Sequence, residues 1–138
     1  MNDIYVLDAC ALIALLSQEI GYDNVKEIIE KSKDKETKII MHTVNLFEVY
    51  YHIYRLYDGV AALNFLNEIK NSPIQLRTEV TDDIIINAGK LKAQYKISLA
   101  DAIGLAEAII SNGSFVTADH HELDVIDKNE NINFIWIR

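Results

Sequence analysis

The sequence predicts an α/β fold, a three-layer α/β/α sandwich around a mostly parallel central sheet, with residues 1–138 forming one domain. Three observations carry this. Short apolar runs (IYVL at 4–7, KIIM at 38–41, SFVT at 114–117, FIWI at 134–137) alternate with longer segments of helical periodicity, the pattern of strand–helix–strand units. The runs are apolar with little polar alternation, as strands covered on both faces are. With 138 residues, half of them apolar and a quarter charged, the chain suits one sizeable core.

The elements follow in order. Residues 4–7 make the first strand, which stops at Asp8; residues 9–16 read as helix and 22–35 as a second, charged and more exposed one. The strand 38–41 runs into Thr43, a candidate N-cap, for a helix from 44 to about 57. Asp58-Gly59 breaks that helix, and 60–71 forms another, closed by Ser72-Pro73. Residues 74–80 can form a strand, and Thr81 caps a helix from 82 to about 95. Ser98 opens the next helix, with Asp101 three residues on in an S-x-x-D capping box. Asn112-Gly113 ends it. The strand 114–117 leads to Asp119, a short helical piece spans 120–126, and 134–137 is the final strand. No linker, repeat or low-complexity segment interrupts the series.

Thirteen basic against twenty-one acidic residues give a formal charge of −8, which argues against a protein that coats nucleic acid. It leaves room for an enzyme that acts on nucleic acid through bound metal. No apolar run reaches the ~18 residues of a membrane span. The stretch 4–16 is interrupted by Asp8 and has no basic leader, unlike a signal peptide. Cys10 is the single cysteine; no intramolecular disulfide can form, and a reducing cytoplasm is the expected setting.

In parallel α/β sheets, ligands bind outside the carboxyl ends of the strands. Asp8 and Asp119 each stand just past such an end, Glu48 about a turn into the helix after the second strand, and Asp101 in the first turn of its own. Asp101 also shares a helix face with Gly104, Leu105 and Ala108, an odd place for a carboxylate that only caps. Singly, each acid has an ordinary reading: caps at Asp8 and Asp101, an ion-pair row with His52 and Arg55 at Glu48, a turn at Asp119. Independent caps, however, need not all fall at one edge of a sheet. Four carboxylates there would repel one another unless a cation compensates, and oxygen-only ligation selects hard ions such as Mg²⁺ or Mn²⁺. The inferred chemistry is metal-assisted hydrolysis of a phosphodiester. Glu27, Glu30, Glu36, Glu68 and Asp82 lie in polar surroundings that a solvated face explains.

Other chemistry-bearing residues read more plainly. Glu122 and Asp124 are candidate auxiliary ligands near Asp119, though both are expected to face solvent or cap the short helix. His120 and His121 are expected to be loop residues, since no second ligand stands at zinc spacing. Cys10 reads as a packing residue rather than a nucleophile. Phe47, Tyr50, Tyr51, Tyr54 and Tyr57 form an aromatic stripe, expected at a protein interface in preference to stacking RNA bases. Arg55, Lys90, Lys92 and Lys96 are either phosphate contacts or ordinary exposed charges. An aspartyl phosphatase needs a second acid two residues after the first, where Cys10 stands. A nucleotide cradle needs clustered glycines, but Gly21, Gly59, Gly89, Gly104 and Gly113 are isolated. A receiver domain's paired acids and late lysine are not convincing here.

Four stretches, VLDACALIALL (6–16), NLFEV (45–49), SLADAIGLAEA (98–108) and FVTADHHEL (115–123), resemble in order and approximate spacing the motifs of PIN-domain nucleases. The likeness is nearest to the VapC-like toxins of bacterial and archaeal type II toxin–antitoxin systems, and it runs from Val6 to the last strand. It implies a PIN-like fold and Mg²⁺- or Mn²⁺-dependent endoribonuclease activity leaving 5′-phosphate and 3′-hydroxyl ends. It further implies tRNA or rRNA as substrate, a cognate antitoxin and a homodimer. By the same resemblance Asp8, Glu48, Asp101 and Asp119 match the catalytic, metal-binding acids. Thr117 matches the hydroxyl of a T-x-D motif, expected to steady Asp119 or a metal-bound water, and Asn45 a supporting polar position beside the acidic helix. Two positions depart from the pattern. Cys10 stands where Ser or Thr is common, which weakens hydrogen bonding near the metal. His120 replaces a basic residue, making charge there depend on pH. The alternative is a PIN-like domain that binds RNA or protein without cutting.

Overall fold

A computed structural model describes residues 3–138. In chain order its elements are β1 (Asp3–Leu7), α1 (Ala9–Leu16), α2 (Tyr22–Lys31), β2 (Thr37–His42), α3 (Thr43–Leu56), α4 (Gly59–Lys70), β3 (Gln75–Arg77), α5 (Asp82–Gln94), α6 (Leu99–Ser111), β4 (Ser114–Thr117), α7 (His120–Asn129) and β5 (Asn133–Trp136). The strands form one sheet in the order β3-β2-β1-β4-β5, every pair parallel. Among the described residues no helix is long and apolar enough to cross a membrane.

Because strand side chains alternate between faces, unbroken apolar runs supply two cores at once. Leu7, Ile39, Met41 and Val116 pack with Leu12, Val25, Val49 and Phe65 on one face. Val6, Ile40 and Phe115 pack with Ile84, Leu91, Leu105 and Ile126 on the other. This is the three-layer sandwich. The chain steps from β1 outward to β2 and β3, then returns to place β4 on the other side of β1. The strand order therefore reverses between β1 and β4, and a crevice opens at their carboxyl ends. Asp8 and Asp119 sit there.

Several boundaries differ from the sequence expectation, each for a local reason. The second helix ends at Lys31 rather than 35, since Asp34 forms a turn instead, its side chain accepting from the Glu36 N–H at 3.2 Å. The segment expected as a strand over 74–80 pairs only over Gln75–Arg77. Its partner β2 ends opposite Arg77, at His42, and turns into α3. The cap of α3 is His42 rather than Thr43: the imidazole Nδ1 accepts from the Val44 N–H at 3.1 Å. Nε2 then carries the proton and donates to the Glu79 carbonyl at 3.0 Å. His120 and His121 lie in the first turn of α7, not in a loop, and that helix continues to Asn129. The last strand is shifted one residue, to Asn133–Trp136, by its register with β4.

Gly21 and Gly104 hold positions that a side chain would disturb. Gly21 has φ +100°, and a β-carbon there would meet the Ile137 carbonyl at 2.7 Å. Gly104 lets α6 lie close on β4 and α3: a β-carbon would sit 2.9 Å from the Phe115 ring and 3.2 Å from Asn45 Nδ2. Gly104→Val is expected to cost about 2–4 kcal/mol through overpacking, read as a lower urea midpoint. A wild-type midpoint would show that this helix contact is looser than described.

Candidate active site

Asp8 is the N-cap of α1 and is 1% exposed. Its Oδ1 accepts from the Ala11 N–H at 2.8 Å, and its Oδ2 accepts from the Thr117 hydroxyl. The same hydroxyl accepts from the Asp119 N–H at 3.1 Å. Thr117, fully buried at the end of β4, thus ties the two strand-end acids together. Burial pushes the Asp8 carboxyl up to about 7, against the lowering effect of these two hydrogen bonds and with further push from the charges of Asp119 and Glu48. Thr117→Val keeps the shape and removes the bridge. It is expected to lower stability by about 1–3 kcal/mol and to move the Asp8 titration higher still, measured by carboxylate NMR. An unmoved titration would mean that the bridge does not form.

Asp101 answers why a carboxylate belongs on that helix face. Its backbone N–H is capped by Ser98 Oγ at 3.1 Å, while its side chain reaches inward. The Asp101 carboxyl is raised to about 8, first by burial, then by a hydrogen bond shared with Glu122, then by the charges of Asp8 and Asp119. Glu48, from the second turn of α3, is raised by burial and by the charge of Glu122. No ion pair joins it to His52 or Arg55 among the described residues. Asp8, Glu48, Asp101 and Asp119 line one cavity of about 350 Å³ together with Cys10 and Glu122. The Cys10 thiol is pushed up to about 12, mainly by burial and then by these acids, so it stays protonated at neutral pH.

Glu122 differs from its expected role of facing solvent or merely capping. One oxygen from each of Asp101, Asp119 and Glu122 lies within 4.8 Å of the others. Glu122 is the third residue of α7, whose N-cap Asp119 accepts from the Glu122 N–H at 3.4 Å. The signal was the D-H-H-E spacing of a capping box, which folds the glutamate back over the helix start and here over the acids. Asn45 is buried one turn before Glu48, and neither its Oδ1 nor its Nδ2 has a protein partner. It sits against Gly104 and hydrogen-bonds none of the acids. His120 points away from the cavity, stacked on Trp136 with centroids 3.9 Å apart. Its ring nitrogens meet the Arg138 carbonyl at 2.6 Å and Asp124 at 2.7 Å. Those two partners, the carbonyl first, raise its pKa.

An all-carboxylate donor set on one cavity, in which burial raises Asp8, Asp101 and Glu48, fits a hard divalent ion. Proton loss and ion binding at such a site are one equilibrium.

The model of the PIN domain matches residues 5–129. No curated protein sequence matches the chain. Solved structures share the fold at low identity. A chain of DNA-bound VapBC from Salmonella typhimurium has TM-score 0.74 at 11% identity, with 100% of both chains covered. One from Rickettsia felis VapBC2, bound to a promoter DNA fragment, has TM-score 0.72 at 17% identity, covering 96% of this chain and 97% of that one. The sarcin–ricin loop cleaving toxin VapC20 of Mycobacterium tuberculosis has TM-score 0.66 at 15% identity, covering 86% and 92%. A family model that spans nearly the whole chain, on a fold whose crevice holds the acids, leads to one conclusion: the chain belongs to the PIN domain family.

Proposed function

We propose that the chain acts over residues 1–138 as a single nuclease domain, a Mg²⁺- or Mn²⁺-dependent endoribonuclease that serves as the toxin of a toxin–antitoxin pair. The observation that carries this is the meeting of Asp8, Glu48, Asp101 and Asp119, from four separate elements, on one cavity. These four are the metal-holding and catalytic residues, with Glu122 beside them. A divalent cation held by them would polarise a phosphoryl oxygen and acidify a water. The chain's own residues set the stage for it. The Ala11 N–H and Thr117 hold Asp8 in one rotamer. Thr117 also fixes the backbone of Asp119. A side-chain hydrogen bond with Glu122 helps to raise the Asp101 carboxyl, and a bound cation would compete with that proton. Asn45 supports the packing of α3 on α6 that brings Glu48 and Asp101 together.

A folded RNA as substrate is supported by the likeness to VapC20, and an antitoxin partner by the likeness to toxin–antitoxin assemblies from Klebsiella pneumoniae and Salmonella typhimurium. The exposed rings of Phe47, Tyr51 and Tyr54 on α3 and of Tyr57 at its C-cap suit a protein interface, which we assign to the homodimer or antitoxin. The cytoplasm is the setting for such an enzyme. The test is cleavage of total cellular RNA with Mg²⁺, with Mn²⁺ and with EDTA. Cleavage should need the metal, leave 5′-phosphates and vanish in Asp101→Ala. Cleavage that survives EDTA, or RNA binding with no cleavage under any metal, would overturn the reading.

A further inference from the structure

The acid cavity does not stand alone. It shares Ser98 and Glu122 with a larger depression of about 650 Å³ on the α5–α6 side, whose wall carries Lys92, Lys96, Tyr95 and His121. It also shares Ile13 and His52 with an apolar depression of about 300 Å³. The acid cavity thus adjoins two hollows, one apolar and one carrying lysines. In a chain of net charge −8, two ammonium groups set beside the acid cavity call for an explanation. Among the described residues neither Lys92 nor Lys96 is in an ion pair. Lys92 is nonetheless held in place: its Nζ donates to the Ile97 carbonyl at 2.9 Å, leaving two N–H donors free.

We propose that the basic depression is the phosphate-binding flank of the substrate channel, where Lys92 and Lys96 grip the backbone of the RNA strand as it leaves the acid cavity. This rests on the nuclease reading and adds the strand's path to it. A polyanion can enter a cluster of carboxylates only where a cation neutralises them, and its neighbouring phosphates then need positive charge of their own. The protein as a whole repels RNA, so that charge must be local. An acidic protein segment would find the same lysines attractive but would have no reason to continue into the carboxylates. The continuity of the two hollows favours RNA.

The test uses the full chain with Mg²⁺ and a fluorescein-labelled single-stranded RNA, read for binding and for cleavage. In Lys96→Ala and Lys92→Gln, KM should rise about 3- to 10-fold with kcat little changed. The slope of log binding constant against log salt should flatten by about 0.7 per lysine removed. Lys90→Ala, on α5 with Lys92 but outside the depression, should leave both unchanged. Cleavage with wild-type KM and salt slope in the double variant would overturn the proposed flank while the nuclease reading stood. Lysine-dependent RNA binding with no cleavage would overturn the nuclease reading and leave the flank in place. Binding of an oligoglutamate peptide at these lysines, with RNA unable to displace it, would reassign them to an acidic protein partner and overturn the proposal.

Discussion

Asp8→Asn is expected to stabilise the metal-free protein at pH 8 while removing its cleavage of RNA. Asp8 is a buried carboxylate whose pKa is lifted from 3.8 to about 7, so at pH 8 the folded metal-free protein holds a charge that its surroundings disfavour. Asparagine keeps an oxygen for the Ala11 N–H and offers an amide to Thr117, so the cap of α1 survives. The full relief would be about 4 kcal/mol. A weaker cap and a reoriented Thr117 hydroxyl reduce the expected net gain to on the order of 2 kcal/mol, or roughly 5–10 °C in Tm. Cleavage should fall by at least ~10²-fold, since even residues behind the ligands of a metal site cost roughly 10- to 100-fold. Asp8→Ala is the informative contrast: it loses the charge and the cap together, and a lost cap costs about 1 kcal/mol. Thermal unfolding in EDTA at pH 8 and single-turnover cleavage check the two halves separately. A lower Tm for Asp8→Asn would mean that the buried charge is better compensated than its neighbours indicate. Retained cleavage would remove Asp8 from the metal-holding set.

How much of this was legible in the residues follows from where each signal resides. The strands were readable because burial on both faces leaves no polar alternation in Ile4, Val6 and Leu7 or in Phe115 and Val116. The parallel arrangement then carried Asp8 and Asp119 to one edge. Asp101 was readable as more than a cap because its face also carries Gly104, Leu105 and Ala108, all buried. What escaped depends on distances that no local pattern encodes. Glu122 was legible as a candidate auxiliary ligand beside Asp119, but its approach to Asp101 depends on tertiary packing, and β3 is short because β2 turns away after His42. His42 caps α3 through a ring nitrogen, a role for which sequence rules look to Ser, Thr, Asp or Asn. Lys92 and Lys96 look like any exposed lysines until the hollow they line is seen to open into the acid cavity.

The carboxylates also set how stability varies with pH. Asp8 and Asp101 have folded pKa values of about 7 and about 8 against 3.8 without the fold. Groups raised in this way contribute stability that is fully present below the unfolded value and is lost as pH rises through the folded one. Between pH 5.5 and 8.5 the metal-free protein is therefore expected to lose on the order of 3 kcal/mol, a fall of about 10 °C in Tm. Burial also raises Glu107, which has a buried Oε2 with no partner outside the acid cavity. It adds a pH-dependent loss of the same sign that metal does not relieve, and Glu107→Gln isolates it. Mg²⁺ or Mn²⁺ should restore the remainder at pH 8.5, by about 2.7 kcal/mol at a hundredfold excess over Kd. The effect should fade by pH 5.5, where protons hold the carboxyls. At equal concentration Mn²⁺ should act more strongly, being the better ligand acceptor. Thermal unfolding across this range, in EDTA and in each metal, measures all of it. Metal-free stability that climbs from pH 5.5 to 8.5 would mean that these carboxyls ionise without strain in the folded chain, and no cation would then be needed to hold them together.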